Sequence, residues 1–197
     1  MVFDRVYSGP RVRQLNTARI VSDAYQKAGL EFPVPVVMNE FDEYEGEAVL
    51  RQSLARLLEE SSEIREFYHR LEHSNTVGEQ RKSFQMLFEA VIGKWVGAIL
   101  VPDVESWADF CARVGRGLSQ VAATKSRGER VAIFSSGGPI AVAMQRALNL
   151  SPQHTLQVSW MSRNCSWSEF LYSGDRFTLS AFNTHPHLND SAMLTYR

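Results

Sequence analysis

The chain has 197 residues, 44% apolar and 22% charged, with a formal net charge of −1. That is long enough for a single domain, residues 1–197, with a proper core, and the charge gives no basis for a nucleic-acid or anionic-membrane partner. No apolar run is long enough to span a bilayer, the first residues lack a signal-peptide layout, and Cys111 and Cys165 form no metal or redox spacing, so the expectation is a cytoplasmic protein without disulfides.

In chain order, Val2–Tyr7 reads as a strand and Ser8-Gly9-Pro10 as a turn. A helix follows with Thr17, Ile20, Val21, Ala24, Tyr25 and Ala28 on its apolar face and Gly29 as its stop. Phe32–Val37 is an extended, proline-marked connection leading to the acidic patch Asn39–Gly46. From Glu47 to Leu71 the pattern is helical, with Val49, Leu50, Leu54, Leu57 and Leu58 as the buried stripe, and 73–80 reads as a loop. Phe84, Leu87, Phe88, Val91, Ile92 and Trp95 predict the next helix. Trp107, Phe110, Cys111, Val114, Leu118 and Val121 predict another, capped by Asp103 or Ser106.

A polar turn over 123–129 leads to the strand Val131–Phe134, the small-residue turn Ser135-Ser136-Gly137-Gly138 and a helix with Ile140, Met144 and Leu148 on one face. Pro139 falls in the first turn of that helix, where a missing N–H costs nothing. The segments Thr155–Met161 and Ser166–Tyr172 read as strands, and Ser173-Gly174-Asp175 turns the chain into Phe177–Phe182 as a hairpin. Strands alternating with helices give an α/β fold with a mostly parallel sheet and an antiparallel edge.

Several groups point to chemistry. A strand, the small-residue turn Ser135–Gly138 and a helix start aim free N–H groups and the helix dipole at an anion, which suggests a phosphate-sized ligand. Arg11 and Arg13 sit at a second strand-to-helix turn, where cations oppose the macrodipole unless an anion is bound. Glu40, Asp42, Glu43 and Glu45 crowd one loop, and clustered carboxylates can raise one another's pKa, as a general acid requires. His185 and His187 make a His-x-His pair, but no second ligand cluster accompanies it, so no metal is expected. Ser135 and Ser136 lack the Gly-x-Ser-x-Gly elbow of a serine hydrolase, and there is no Gly-x-x-x-x-Gly-Lys-[Ser/Thr] nucleotide loop.

Taken together, these segments resemble the histidine phosphatase superfamily, the phosphoglycerate-mutase-like proteins. Tyr7-Ser-Gly-Pro-Arg-Val-Arg-Gln-Leu-Asn-Thr-Ala18 is similar to the family's Ser-x-Pro-Leu-x-Arg-x-x-x-Thr-Ala segment, and Asn39-Glu40-Phe-Asp to its acid loop. Glu105-Ser-Trp-x-x-Phe110 is similar to the helix before the family's second catalytic motif, Val131–Ile140 to that motif, and Asn164–Leu188 to its closing hairpin. The resemblance implies a three-layer α/β sandwich with helices on both faces and a helical cap insertion around 40–81. It implies phosphate binding by Ser8, Arg13, Ser136 and Gly137, and catalysis by Glu40 as acid, with Glu43 the second choice.

Two departures stand out. The family's nucleophile lies in an Arg-His-Gly that these 197 residues do not contain, and Ser136 stands where its other histidine is usual. The resemblance places the missing strand between Val2–Tyr7 and Val131–Phe134, where its loss would unpair two buried strands, so a natural N-terminal segment is expected before Met1. The reading is therefore a phosphomonoester hydrolase acting through a phosphohistidine when complete, on a small phosphorylated substrate, with no cofactor. The alternative is an inactive, phosphatase-like anion-binding protein; a serine acyl hydrolase ranks third.

Overall fold

Strand β1 (Arg5–Ser8) is the middle of a three-stranded parallel sheet, flanked by β2 (Val36–Val37) and β3 (Val131–Phe134). The computed structural model describes residues 1–99, 101–123, 128–174, 176–188 and 190–196. By contacts these form two units, residues 1–43 with 111–197 and residues 44–110.

In the first unit, Val6 and Ser8 point into the interior and β1 pairs residue for residue with β3, from Arg5 opposite Val131 to Ser8 opposite Phe134. The strand expected between these two segments is therefore not there. Their backbone groups satisfy one another, and the folding penalty assigned to that gap does not arise. The outer edge of β3 has no strand partner among the described residues. Beside it, the Arg5 guanidinium grips both oxygens of Glu129 at 2.5 and 2.7 Å and donates to Tyr7 Oη at 2.8 Å. This partner holds the Arg5 pKa above its usual value.

Helix α1 (Val12–Lys27) buries Gln14 and Ala18 and half-buries Val21 and Tyr25, while Thr17, Ile20, Ala24 and Ala28 are exposed. The apolar face read from the sequence thus holds at Val21 and Tyr25 and is turned away elsewhere, and a glutamine lies on the buried side. The segment Thr155–Met161, expected as a strand, lies largely in helix α7 (Pro152–Trp160). Ser151 caps it by accepting the His154 N–H, and Pro152 occupies its first turn, so the start signal overrides β-branched content. Helix α6 (Gly137–Leu148) follows β3 as expected.

Strands β4 (Trp167–Ser173) and β5 (Arg176–Thr184) form the predicted antiparallel hairpin, as a separate two-stranded sheet rather than an edge of the parallel one. Positions 124–127 of the expected polar turn and Asp175 of the hairpin turn lie outside the described residues.

In the second unit, the single helix expected over 47–71 is two: α2 (Gly46–Glu60) and α3 (Ser62–Glu72). Ser61 ends one and caps the other through the Ile64 N–H, while Arg65 Nη1 donates to the terminal carbonyls of Leu58 and Glu59 at 2.8 and 2.9 Å. Helix α4 (Val77–Val96) begins inside the expected 73–80 loop, with a Thr76–Glu79 capping box. Tyr44, Trp95, Trp107 and Phe110 form the aromatic centre of this unit. Trp107 opens α5 (Trp107–Ala123), capped by Ser106 as read from the sequence.

The Arg5–Glu129 pair is largely shielded from water, so removing one partner strands a charge. Glu129→Ala is expected to lower stability by about 1–3 kcal/mol in urea denaturation followed by circular dichroism.

Candidate functional site

Because the three strands run parallel, the loops that leave them emerge at one end of the sheet, where open α/β folds bind ligands. Those loops carry Gly9–Arg13, Met38–Glu43 and Ser135–Gly138.

The carboxamide of Gln14 joins all three. Its Oε1 accepts the Arg11 N–H at 3.0 Å, and its Nε2 donates to the Phe41 carbonyl at 3.2 Å and to Ser136 Oγ at 2.9 Å. Gly9 makes room for it: a Cβ there would stand 2.2 Å from Gln14 Oε1 and 2.4 Å from the Phe41 carbonyl oxygen. Gln14 escaped the sequence reading; its signal was a polar residue four positions before Ala18 on what is the buried face of α1.

Ser136 Oγ also accepts from Arg13 Nε at 3.2 Å. Two donors thus fill its lone pairs, and no acceptor for its own proton lies among the described residues. Its side chain is nine-tenths buried at the start of α6. The Arg13 side chain as a whole is more than half exposed.

Glu43 completes the group. Its carboxylate is buried, accepts the Gly138 N–H of the first turn of α6 at 3.2 Å, and lies 3.9 Å from Arg13 Nη2. Gly137 and Gly138 supply N–H groups that no preceding helical turn can accept.

The structure therefore brings together Arg13, Ser136, Gly137 and Glu43. The Glu40 carboxylate makes no hydrogen bond or ion pair among the described residues; its Cβ instead packs where Gly117 leaves space. Ser8 is fully buried, and its hydroxyl donates to the Gly9 carbonyl at 2.9 Å, shaping the turn. Ser135 Oγ donates to the Phe41 carbonyl at 2.9 Å, and neither serine has a histidine as hydrogen-bond partner, which leaves a serine nucleophile without a base.

The remaining arginines hold the acid loop. Arg11 Nε meets Asp42 Oδ1 at 2.5 Å and its Nη2 donates to the Glu43 carbonyl at 3.2 Å. Arg113 Nη1, from α5, donates to the carbonyls of Asn39, Glu40 and Asp42 at 2.8, 3.2 and 3.2 Å. At the hairpin end, the His185 ring lies against Arg163, 3.3 Å from its Nη1.

The family model of the histidine phosphatase superfamily (branch 1) matches residues 48–185, and the chain belongs to that superfamily. Solved structures with this fold include the alpha-ribazole phosphatase from Shigella flexneri, 16% identical over 93% of this chain and 75% of that one, with a TM-score of 0.57. A phosphoglycerate mutase from Bacillus anthracis is 15% identical over 93% and 73% of the two chains, with a TM-score of 0.53. A mycobacterial glucosyl-3-phosphoglycerate phosphatase is 15% identical over 92% and 77%, also at 0.53. No curated protein sequence matches the chain.

Gln14→Ala leaves the Phe41 carbonyl and the Arg11 N–H without this partner and opens a void beside Ser136. It is expected to lower the unfolding free energy by about 1–3 kcal/mol in chemical denaturation.

Proposed function

We propose that this chain forms the anion-binding half of a phosphoryl-transfer site, and that the complete site hydrolyses a small phosphomonoester through a phosphohistidine. The observation that carries this reading is the convergence of Arg13, Ser136 and the first turn of α6 on one point, beside a buried carboxylate. Membership of the histidine phosphatase superfamily supports the reaction type. Relatives of this fold named as phosphatases and as a mutase support a phosphorylated small molecule as substrate.

In this reading Arg13 binds two equatorial oxygens of the phosphoryl group in a fork, and the Gly137 and Ser136 donors take the third. Ser8 acts through the turn it shapes and makes no contact with the ligand. Of the two carboxylates, Glu43 is the better-placed acid for the leaving oxygen, since its side chain and not that of Glu40 reaches Arg13. The nucleophilic histidine would attack phosphorus in line, carried by a strand that pairs with the outer edge of β3. Ser136 donates a hydrogen bond but no charge, which favours hydrolysis of a reactive monoester over a mutase cycle.

A second reading is phosphate binding without turnover. It is favoured by the absence of Arg-His-Gly from the 197 residues and by Ser136 at the second histidine position. Turnover of an aryl phosphate separates the two. Acid-labile phosphohistidine trapped in a form extended at its N-terminus from the upstream reading frame supports the hydrolase. Vanadate binding without turnover in both forms supports the binding protein.

In either case Arg13→Ala is expected to weaken vanadate binding about tenfold to a hundredfold, read by calorimetry, because the site loses its charged hydrogen bonds to the anion. Unchanged affinity would remove Arg13 from the site.

A further inference from the structure

We infer that the Glu43 carboxylate is a built-in competitor that occupies part of the anion cradle of the ligand-free protein, and that a bound oxyanion must displace it or bind with its proton uptake. The inference rests on the cradle reading above and adds how the site is regulated.

One donor of the cradle is already in use by an anion. Gly138 N–H, at the positive end of α6, is given to Glu43 Oε2 at 3.2 Å, and the same oxygen faces Arg13 Nη2 at 3.9 Å. A tetrahedral oxyanion seated on Arg13, Ser136 and Gly137 would lie at the same helix terminus, beside the N–H that Glu43 holds, and against the same guanidinium. Two anions sharing one helix terminus repel, so the ionised carboxylate and the ligand compete. Ser136 marks the empty part of the cradle: the residue is nine-tenths buried, two donors fill the lone pairs of its hydroxyl, and no hydrogen bond joins it to Glu43.

The loop gives Glu43 limited room to leave. Its backbone carbonyl is held by Arg11, and its neighbour Asp42 is held by Arg11 through the side chain and by Arg113 through the backbone. The charged groups around it are Arg13 from α1, Arg11 just before that helix and Asp42 from its own loop, with Arg113 of α5 on the Asp42 carbonyl; the first turn of α6 contributes no titratable side chain. With the backbone clamped, protonation is the shorter route: the carboxylate takes one proton from solvent, ceases to compete, and holds an O–H beside the ligand.

Sulfate tests this, because it exchanges no proton of its own near neutral pH. Calorimetric titration of the wild-type chain and Glu43→Gln, in two buffers of different ionisation enthalpy, reads affinity and proton uptake together. The expected result is sulfate binding about tenfold or more tighter in Glu43→Gln at pH 7.5. Wild-type binding should strengthen toward acid pH with uptake of up to one proton, and the variant should lose that uptake. Wild-type proton uptake needs no variant, so it stands even if Glu43→Gln folds poorly.

Equal or weaker binding in a folded Glu43→Gln, with no proton uptake in the wild type, overturns the inference and leaves the cradle intact. Failure of both proteins to bind sulfate overturns the cradle reading, and the inference with it.

Discussion

One buried carboxamide fixes the relation of the three loops that make the site. Gln14 bonds to the turn after β1, the loop after β2 and the turn after β3, so the position of each is set by the other two. An unmet hydrogen bond in such a place costs about 1–3 kcal/mol, against a total stability of about 5–15 for a domain. The arrangement tolerates no side chain at Gly9, because the space a Cβ needs is already taken by the carboxamide and the Phe41 carbonyl. The short strands matter mainly through this: parallel pairing brings the loop starts to one end, and Gln14 decides how they face one another.

Charge is distributed accordingly. Cations in the first turn of a helix oppose its dipole, and α1 opens on Arg11 and Arg13 with no acidic residue in that turn. Arg11 resolves the conflict inside the fold by pairing with Asp42. Arg13 resolves it only partly: its head is more than half exposed, and Glu43 stands at 3.9 Å, beyond hydrogen-bond reach. Two arginines two residues apart thus do different work, one ordering the loop and the other left available at its surface. Arg113 repeats the first role from α5, spending one guanidinium nitrogen on three backbone carbonyls.

The strand–turn–helix at 131–148 was legible in the sequence because local signals agreed there: an apolar run, small residues that permit a tight turn, and a proline in the first helical turn. Where signals conflicted, reading failed. Thr155, Val158 and Trp160 suggested a strand, but Ser151-Pro152 start a helix that their packing then supports. The break at Ser61 was hidden because the apolar stripe continues across it and only the caps reveal the stop. The phase of α1 was misread because its buried face carries Gln14, a polar side chain that periodicity treats as solvent-facing. Which carboxylate of the acid loop lies against α6 was not legible from spacing, which favoured Glu40: beyond the 3₁₀ turn at Asn39–Phe41 it is the Glu43 carboxylate that meets the Gly138 N–H.

Ser136 brings no charge to the start of α6, so the electrostatics there turn on Arg13 and the buried Glu43 carboxylate, which lie 3.9 Å apart. A phosphate dianion entering the cluster meets the exposed arginine and a helix terminus worth about half a positive charge, with the carboxylate opposing both. The carboxylate has to give up its place or its charge before the arginine and the helix terminus can act on such a ligand together.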